Sequence, residues 1–208
     1  MDNLGNANVI KALLIDYIEK EKLIEGCVYG NELFYGKKKR QTDLLAVNGS
    51  TTAFEIKSDS DDYRKAREQL DDYKKVFDYQ YLVTTKLHEK RALKVLKQNE
   101  GLILIDECNT IVIKRTPKKI LKHDKEEILE TIPASFLRKQ FKVSCQYRSV
   151  TEVRKFLGNK KLEDLREALR IFFKQRLTPR NNVFFDEKGE ITHYEDLKLL
   201  SKNSDEII

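Results

Sequence analysis

Hydrophobic positions change period several times along the 208-residue chain, and each change marks a predicted element. From Val9 to Glu21, Ile10, Leu13, Leu14, Tyr17 and Ile18 recur at steps of three and four, which predicts an amphipathic helix with one buried face. The period then drops to two. Runs over Val28–Tyr35 and Thr42–Val47 flank the basic stretch Gly36–Arg40, Asn48-Gly49 predicts a tight turn, and Thr51–Ser58 returns as a strand. The next helix is predicted to start at Ser60, which can cap it, with Asp61 and Asp62 at the positive end of its dipole. Its buried stripe would be Tyr63, Ala66, Leu70, Tyr73 and Phe77.

A strand over Tyr79–Thr85, a helix over Leu87–Asn99 ending at Gly101, and two apolar strands over Leu102–Glu107 and Thr110–Arg115 complete this half. Such an order predicts an α/β or α+β domain over residues 1–117, its mixed central sheet flanked by helices. Residues 118–208 change character. Lys125–Phe141 and Thr151–Leu177 read as helical, so a C-terminal helical extension follows, positioned to orient a substrate or bind a partner, and the tail from Ser201 is expected to fray.

Composition narrows the setting. Charged residues make up 36% of the chain and apolar ones 40%, as in a protein with a solvated surface. No run approaches the ~18 apolar residues of a membrane span, and Met1–Lys11 has no cleavable apolar leader, so no membrane partner and a cytoplasmic location are expected. Cys27, Cys108 and Cys145 are odd in number and widely spaced, which predicts free thiols. His88, His123 and His193 are equally scattered, leaving carboxylates as the available metal ligands. The net charge of +6 is uneven: 20 Lys/Arg face 19 Asp/Glu through Pro117, and 20 face 15 from Lys118 onward. That excess is compatible with a polyanionic partner in the second half.

Against this background Asp43, Glu55 and Lys57 stand out, because they interrupt apolar β-branched runs where ionised groups are costly to bury. Glu55 and Lys57 share one face of a strand, ~6–7 Å apart. If the turn is Asn48-Gly49-Ser50, Asp43 falls opposite Glu55 with Cβ atoms ~4.5–5.5 Å apart; a two-residue turn would set Phe54 against Asp43 and put the carboxylates on opposite faces. Two carboxylates so close repel by ~4 kcal/mol at an effective dielectric near 20, which a divalent cation relieves. Mg²⁺ or Mn²⁺ accepts such hard oxygens, and the Ile56 carbonyl could add another. An exposed Glu55–Lys57 ion pair worth ~0–1 kcal/mol is the plain alternative.

Asp43, then Glu55-Ile56-Lys57 closing the following strand, then a helix bearing Gln69-Leu70-Asp71-Asp72-Tyr73, resembles the PD-(D/E)XK nuclease superfamily, in particular a small bacterial stand-alone branch with a RecB-like Q-x-x-x-Y element. The resemblance covers residues 9–107. It implies a restriction-endonuclease-like core, metal ligation by Asp43 and Glu55, a catalytic role for Lys57, and supporting or phosphate-contacting roles for Gln69 and Tyr73. A further acid often joins such sites; Glu32 is the first choice, ahead of Glu19 and Glu21. Where related patterns carry Arg two residues before the Asp, this chain has Gln41, with Arg40 beside it, so Lys37–Arg40 is read as a solvated or phosphate-steering loop.

No G-x-x-x-x-G-K-[ST], G-x-G-x-x-G or G-x-S-x-G motif occurs. The sequence therefore reads as a bacterial or phage metal-dependent nuclease that hydrolyses phosphodiester bonds of DNA with metal-activated water. Its rival is a catalytically inactive nuclease-fold subunit that binds nucleic acid or assembles with a partner. The C-terminal helices could also serve a homodimer or a protein partner.

Overall fold

A computed structural model describes residues 4–201. Helix α1 (Ala7–Lys20) opens it, capped by Asn6, whose side chain accepts from the Asn8 N–H. Strands β1 (Val28–Asn31), β4 (Leu44–Asn48), β5 (Ser50–Lys57), β6 (Tyr79–Thr85), β7 (Gly101–Ile105) and β8 (Ile111–Arg115) form a six-stranded sheet in the order β1-β4-β5-β6-β7-β8. The β5–β6 and β6–β7 pairs are parallel and the others antiparallel, giving the expected mixed sheet. Helices α2 (Ala66–Tyr73), α3 (Glu89–Val95), α4 (Lys125–Thr131), α5 (Ala134–Gln140), α6 (Val150–Leu157) and α7 (Leu162–Glu187) complete the chain, and a 3₁₀ segment, Asp196–Leu200, precedes Ser201. No helix among the described residues is long and apolar enough to cross a membrane.

Strand alternation sorts the core into two layers. Leu44, Ala46, Phe54, Ile56, Tyr81 and Val83 pack with Ile10, Leu14 and Ile18 of α1. Leu45, Val47, Ala53, Leu82 and Leu102 pack with Leu70 and Tyr73 of α2 and with α4–α7. The second layer runs through the expected boundary at Pro117 without a break, since Ile128, Leu137, Leu165 and Phe173 share it with the strands. Charge links the halves as well: Asp78, 2% exposed, accepts from the Thr51 N–H and from the Arg166 guanidinium of α7, at 2.9 and 2.5 Å.

Several boundaries depart from the periodicity. The run Val28–Tyr35 is interrupted at Glu32, whose φ of 54° turns the chain, so Phe34–Tyr35 (β2) pairs with Arg40–Gln41 (β3) in a small separate sheet. Ser60 is not the helix cap. Asp62 caps a 3₁₀ turn at Tyr63–Lys65, and Asp61 instead accepts from the Ser58 N–H and hydroxyl, closing the loop after β5. The predicted stripe itself is buried at Tyr63, Ala66, Leu70, Tyr73 and Phe77. The helix expected over Leu87–Asn99 is regular only over Glu89–Val95. The tail beyond Ser201 lies outside the described residues.

Pro179 removes one intrahelical hydrogen bond from α7, and past it the helix crosses from one core layer to the other, Leu177 joining the α2 side and Phe184 the α1 side. In the crossing, Asn181 accepts from the Tyr29 N–H at 2.7 Å and donates to the Tyr29 carbonyl at 2.8 Å, filling the outer edge of β1. Asn181→Ala strands both backbone groups in a buried position. It is expected to cost about 2 kcal/mol, read as a Tm about 4–8 °C lower in thermal unfolding.

Candidate functional site

The hairpin decides the geometry of the acid pair. Asn48 faces Ser50 across Gly49, whose φ of 56° suits the turn, and the ladder runs Val47 to Thr51 and Leu44 to Phe54. Continued by one step, the same register sets Asp43 opposite Glu55, which is the three-residue-turn alternative. Asp43 lies just before β4 and half-buried; its Oδ2 accepts from the Ile56 N–H at 2.7 Å. Because N–H and C=O of one residue leave a strand on the same side, the Ile56 carbonyl also faces the Asp43 side of β5.

Glu55 is 0% exposed. Its Oε2 accepts from the Tyr73 hydroxyl at 2.8 Å, and that hydroxyl in turn accepts from the Asp43 N–H at 3.3 Å, so one tyrosine ties the two acids together. Lys57 Nζ lies 2.7 Å from Glu55 Oε1 and donates to Gln69 Oε1 at 3.1 Å. The contact with Glu55 is a buried ion pair, with the Lys57 ammonium against Oε1. Helix α2 reaches the site because Gln69 and Tyr73 are one turn apart on its sheet-facing side.

Burial raises the Glu55 carboxyl to about 7, reinforced by the Asp43 charge and only partly offset by Lys57 and Tyr73. Asp43 is raised too, chiefly by burial, against the Ile56 N–H and the Lys11 and Lys57 charges. Burial pulls Lys57 down, but Glu55 and Asp43 outweigh it and the ammonium is held above its ordinary value. The pair is thus unequal: the cation gains and the acid loses. Lys57 is consequently a fixed positive donor rather than a base that could take a proton from water. Tyr73, well above its ordinary value through burial and the Glu55 and Asp43 charges, stays a neutral donor.

Glu32 comes beside the pair through its backbone, its N–H donating to the Asp43 carbonyl at 3.3 Å, but its carboxylate is held by Lys11 Nζ at 3.0 Å. Glu19 accepts from the Tyr29 hydroxyl at 2.6 Å, and Glu21 is the exposed C-cap of α1. Neither joins the acids. In the basic loop, Arg40 pairs with Asp72 at 2.7 Å and with Glu68, while Lys37 pairs with Glu126 at 2.8 Å, so both are tied to neighbouring elements. Among the described residues no group of three His, Cys, Asp or Glu is placed to hold a metal ion. The donor set that exists, two carboxylates of raised pKa and a carbonyl, is all hard oxygen and suits a divalent cation.

Two groups near the site were not assigned to it from the sequence, Asp61 having been read there as a helix-dipole residue. Lys11 of α1, 3% exposed, donates to Asn31 and Glu32 and lowers the Asp43 pKa. Its signal was a lysine one step from the helix's apolar stripe. Asp61 adds negative charge beside Asp43 and Lys57 from the loop after β5. Tyr73→Phe should leave the fold intact at a cost of about 1 kcal/mol and move the Glu55 titration further upward, read by ¹³C NMR of its carboxyl carbon.

Residues 1–201 match the model of a family described as Bacteriophage P4 protein cII. Protein cII of Enterobacteria phage P4 is 28% identical over 112 residues, which is 54% of this chain and 42% of that protein. The chain thus spans less than half the length of the curated relative it matches. Among solved structures, SPO1766, described as a protein of unknown function from Silicibacter pomeroyi, superposes with a TM-score of 0.48 at 15% identity, covering 85% of this chain and 91% of that one.

Proposed function

The chain belongs to the Bacteriophage P4 protein cII family, and we propose that within it this protein is a metal-dependent nuclease hydrolysing phosphodiester bonds of DNA. The observation that carries the reading is the convergence of Asp43, Glu55, Lys57, Gln69 and Tyr73 through contacts of 2.7 to 3.3 Å, on the residues by which the sequence resembles PD-(D/E)XK nucleases. Asp43, Glu55 and the Ile56 carbonyl would hold Mg²⁺ or Mn²⁺. Such an ion, when bound, supplies Lewis acidity and lowers the pKa of water.

The chain's own groups do the rest. The Ile56 N–H fixes Asp43, and Tyr73 fixes Glu55 while coupling it to the Asp43 backbone. Gln69 orients the Lys57 ammonium, which can donate to a phosphate oxygen as negative charge builds on it. The test is cleavage of plasmid DNA by purified protein in Mg²⁺ or Mn²⁺ against EDTA, which should show cutting only with metal.

A second reading has its own observation. No third acid completes a metal-binding group among the described residues, and Lys57 already neutralises Glu55 in part, as suits a nuclease-fold subunit that binds nucleic acid without cutting. Calorimetry separates the two: no heat with Mn²⁺ and unchanged DNA binding in EDTA would favour this one.

A further inference from the structure

The positive charge of the chain is gathered in one place. Residues 134–161 hold eight of the 40 Lys and Arg but one of the 34 acids, Glu152, a net of +7; the rest of the chain has 32 against 33, a net of −1. This stretch is α5, the connection 141–149, and α6 up to the start of α7, and it is held as one unit. Arg138 of α5 donates to the Tyr147, Arg148 and Ser149 carbonyls at 2.6, 2.8 and 3.4 Å. Tyr147 stacks on Phe156 with ring centroids 4.6 Å apart, and Leu137, Val153 and Leu157 are buried in the core layer that α2 shares.

Little of that charge is matched from within. Arg154 pairs with Glu130 at 2.9 Å and Lys160 lies over the Phe156 ring, while Glu152 is taken up in a capping box with Ser149. The side chains of Lys139, Lys142, Arg148, Lys155 and Lys161 are exposed and make no hydrogen bond or ion pair among the described residues. Lys139 and Lys155 each stand two residues beyond a buried one, Leu137 and Val153, and so on the side of their helices turned to solvent. Glu130 also joins the unit to the basic β2–β3 loop, its carbonyl accepting from Lys39 Nζ at 3.1 Å. That loop in turn reaches α2, the helix of Gln69 and Tyr73, through the Arg40–Asp72 pair.

We propose that the α5–α6 unit is a docking surface for the phosphate backbone of duplex DNA, separate from the acid pair and independent of metal. Several free cations on one surface, with hardly an acid among them, match a chain of regularly spaced phosphates, and each phosphate neutralised releases bound counterions. An anionic membrane would ask for an apolar anchor beside the basic patch, and the one large apolar side chain that the unit exposes is Val150. The choice of DNA as the polyanion rests on the nuclease reading above; the surface itself does not.

The experiment is fluorescence anisotropy of a labelled duplex of about 20 base pairs titrated with the whole protein in EDTA, over about 50 to 200 mM salt. The parent should bind, with an affinity that falls steeply as salt rises. The triple variant K139A/R148A/K155A, changed at exposed residues only, should unfold at the parent's temperature, bind about tenfold more weakly or worse, and lose about 3 from the slope of log K against log salt. K90A/R91A/K94A removes the same charge from exposed positions of α3 and should bind as the parent does. Vesicles of phosphatidylserine and phosphatidylcholine should bind more weakly than the duplex at the same salt. No binding to the duplex, a K139A/R148A/K155A variant that binds like the parent, an equal loss in the α3 variant, or tighter binding to the vesicles would each overturn the proposal. Cleavage plays no part in the readout, so a protein that binds the duplex in this way but never cuts it would sink the nuclease reading and leave the docking surface standing.

Discussion

Asp43→Ala and Lys57→Ala are expected to lower metal-dependent DNA cleavage by about 10³-fold or more, while each variant unfolds within a few degrees of the parent. The reason lies in what each side chain does in the folded protein. Asp43 accepts a backbone N–H but also raises the Glu55 pKa, so its loss removes a hydrogen bond and a repulsion together, and the two effects on stability oppose each other. Lys57→Ala leaves Glu55 without its cation, and a carboxyl already held near 7 can take up a proton instead. Stability should therefore change little where activity vanishes. If both variants cut DNA at the parent's rate, Asp43 and Lys57 take no part in any hydrolysis the protein performs.

The second large effect is in pH. Folding raises the Glu55 carboxyl from 4.5 to about 7, so the folded state binds the proton more tightly than the unfolded chain. The corresponding stability is fully present below pH 4.5 and is lost as pH rises through 7, amounting to at most about 3 kcal/mol for the metal-free protein. Metal competes with the same proton. Mn²⁺ affinity should rise about tenfold per pH unit from pH 5 to 7 and level off above, followed by calorimetry. Glu55→Gln should abolish the binding and stabilise the metal-free protein at pH 8. An affinity independent of pH over this range would show that Glu55 is no ligand.

Much of the site was legible because strand parity is a strict rule. The shared face of Glu55 and Lys57 followed from their spacing alone, whereas Gln69 and Tyr73, one helical turn apart, were pointed to by the resemblance of the Q-x-x-x-Y element. Register was the open question, since two turn lengths at Asn48-Gly49 placed the acids either together or apart; the ladder that forms is that of the three-residue form. The break at Glu32 was hidden because a left-handed residue leaves no mark on hydropathy, and with it went the fate of that carboxylate, which Lys11 claims from a distant helix. Ser60 failed as a cap because its hydroxyl donates to the Gly5 carbonyl while Asp62, two residues on, takes the cap and Asp61 turns back on Ser58. The division at Pro117 followed a change in element type. Burial of the later helices on the same core is a long-range property that local patterns do not carry.

The amide of Asn181 does for β1 what a neighbouring strand would do, and Ser201 bridges Asn31 alongside it. Open-ended fibre growth by strand addition requires two available flanks on every molecule. Among the described residues of the six-stranded sheet, β8 is the other flank. Addition through β8 alone would join this sheet to one other copy and not extend it into a ribbon.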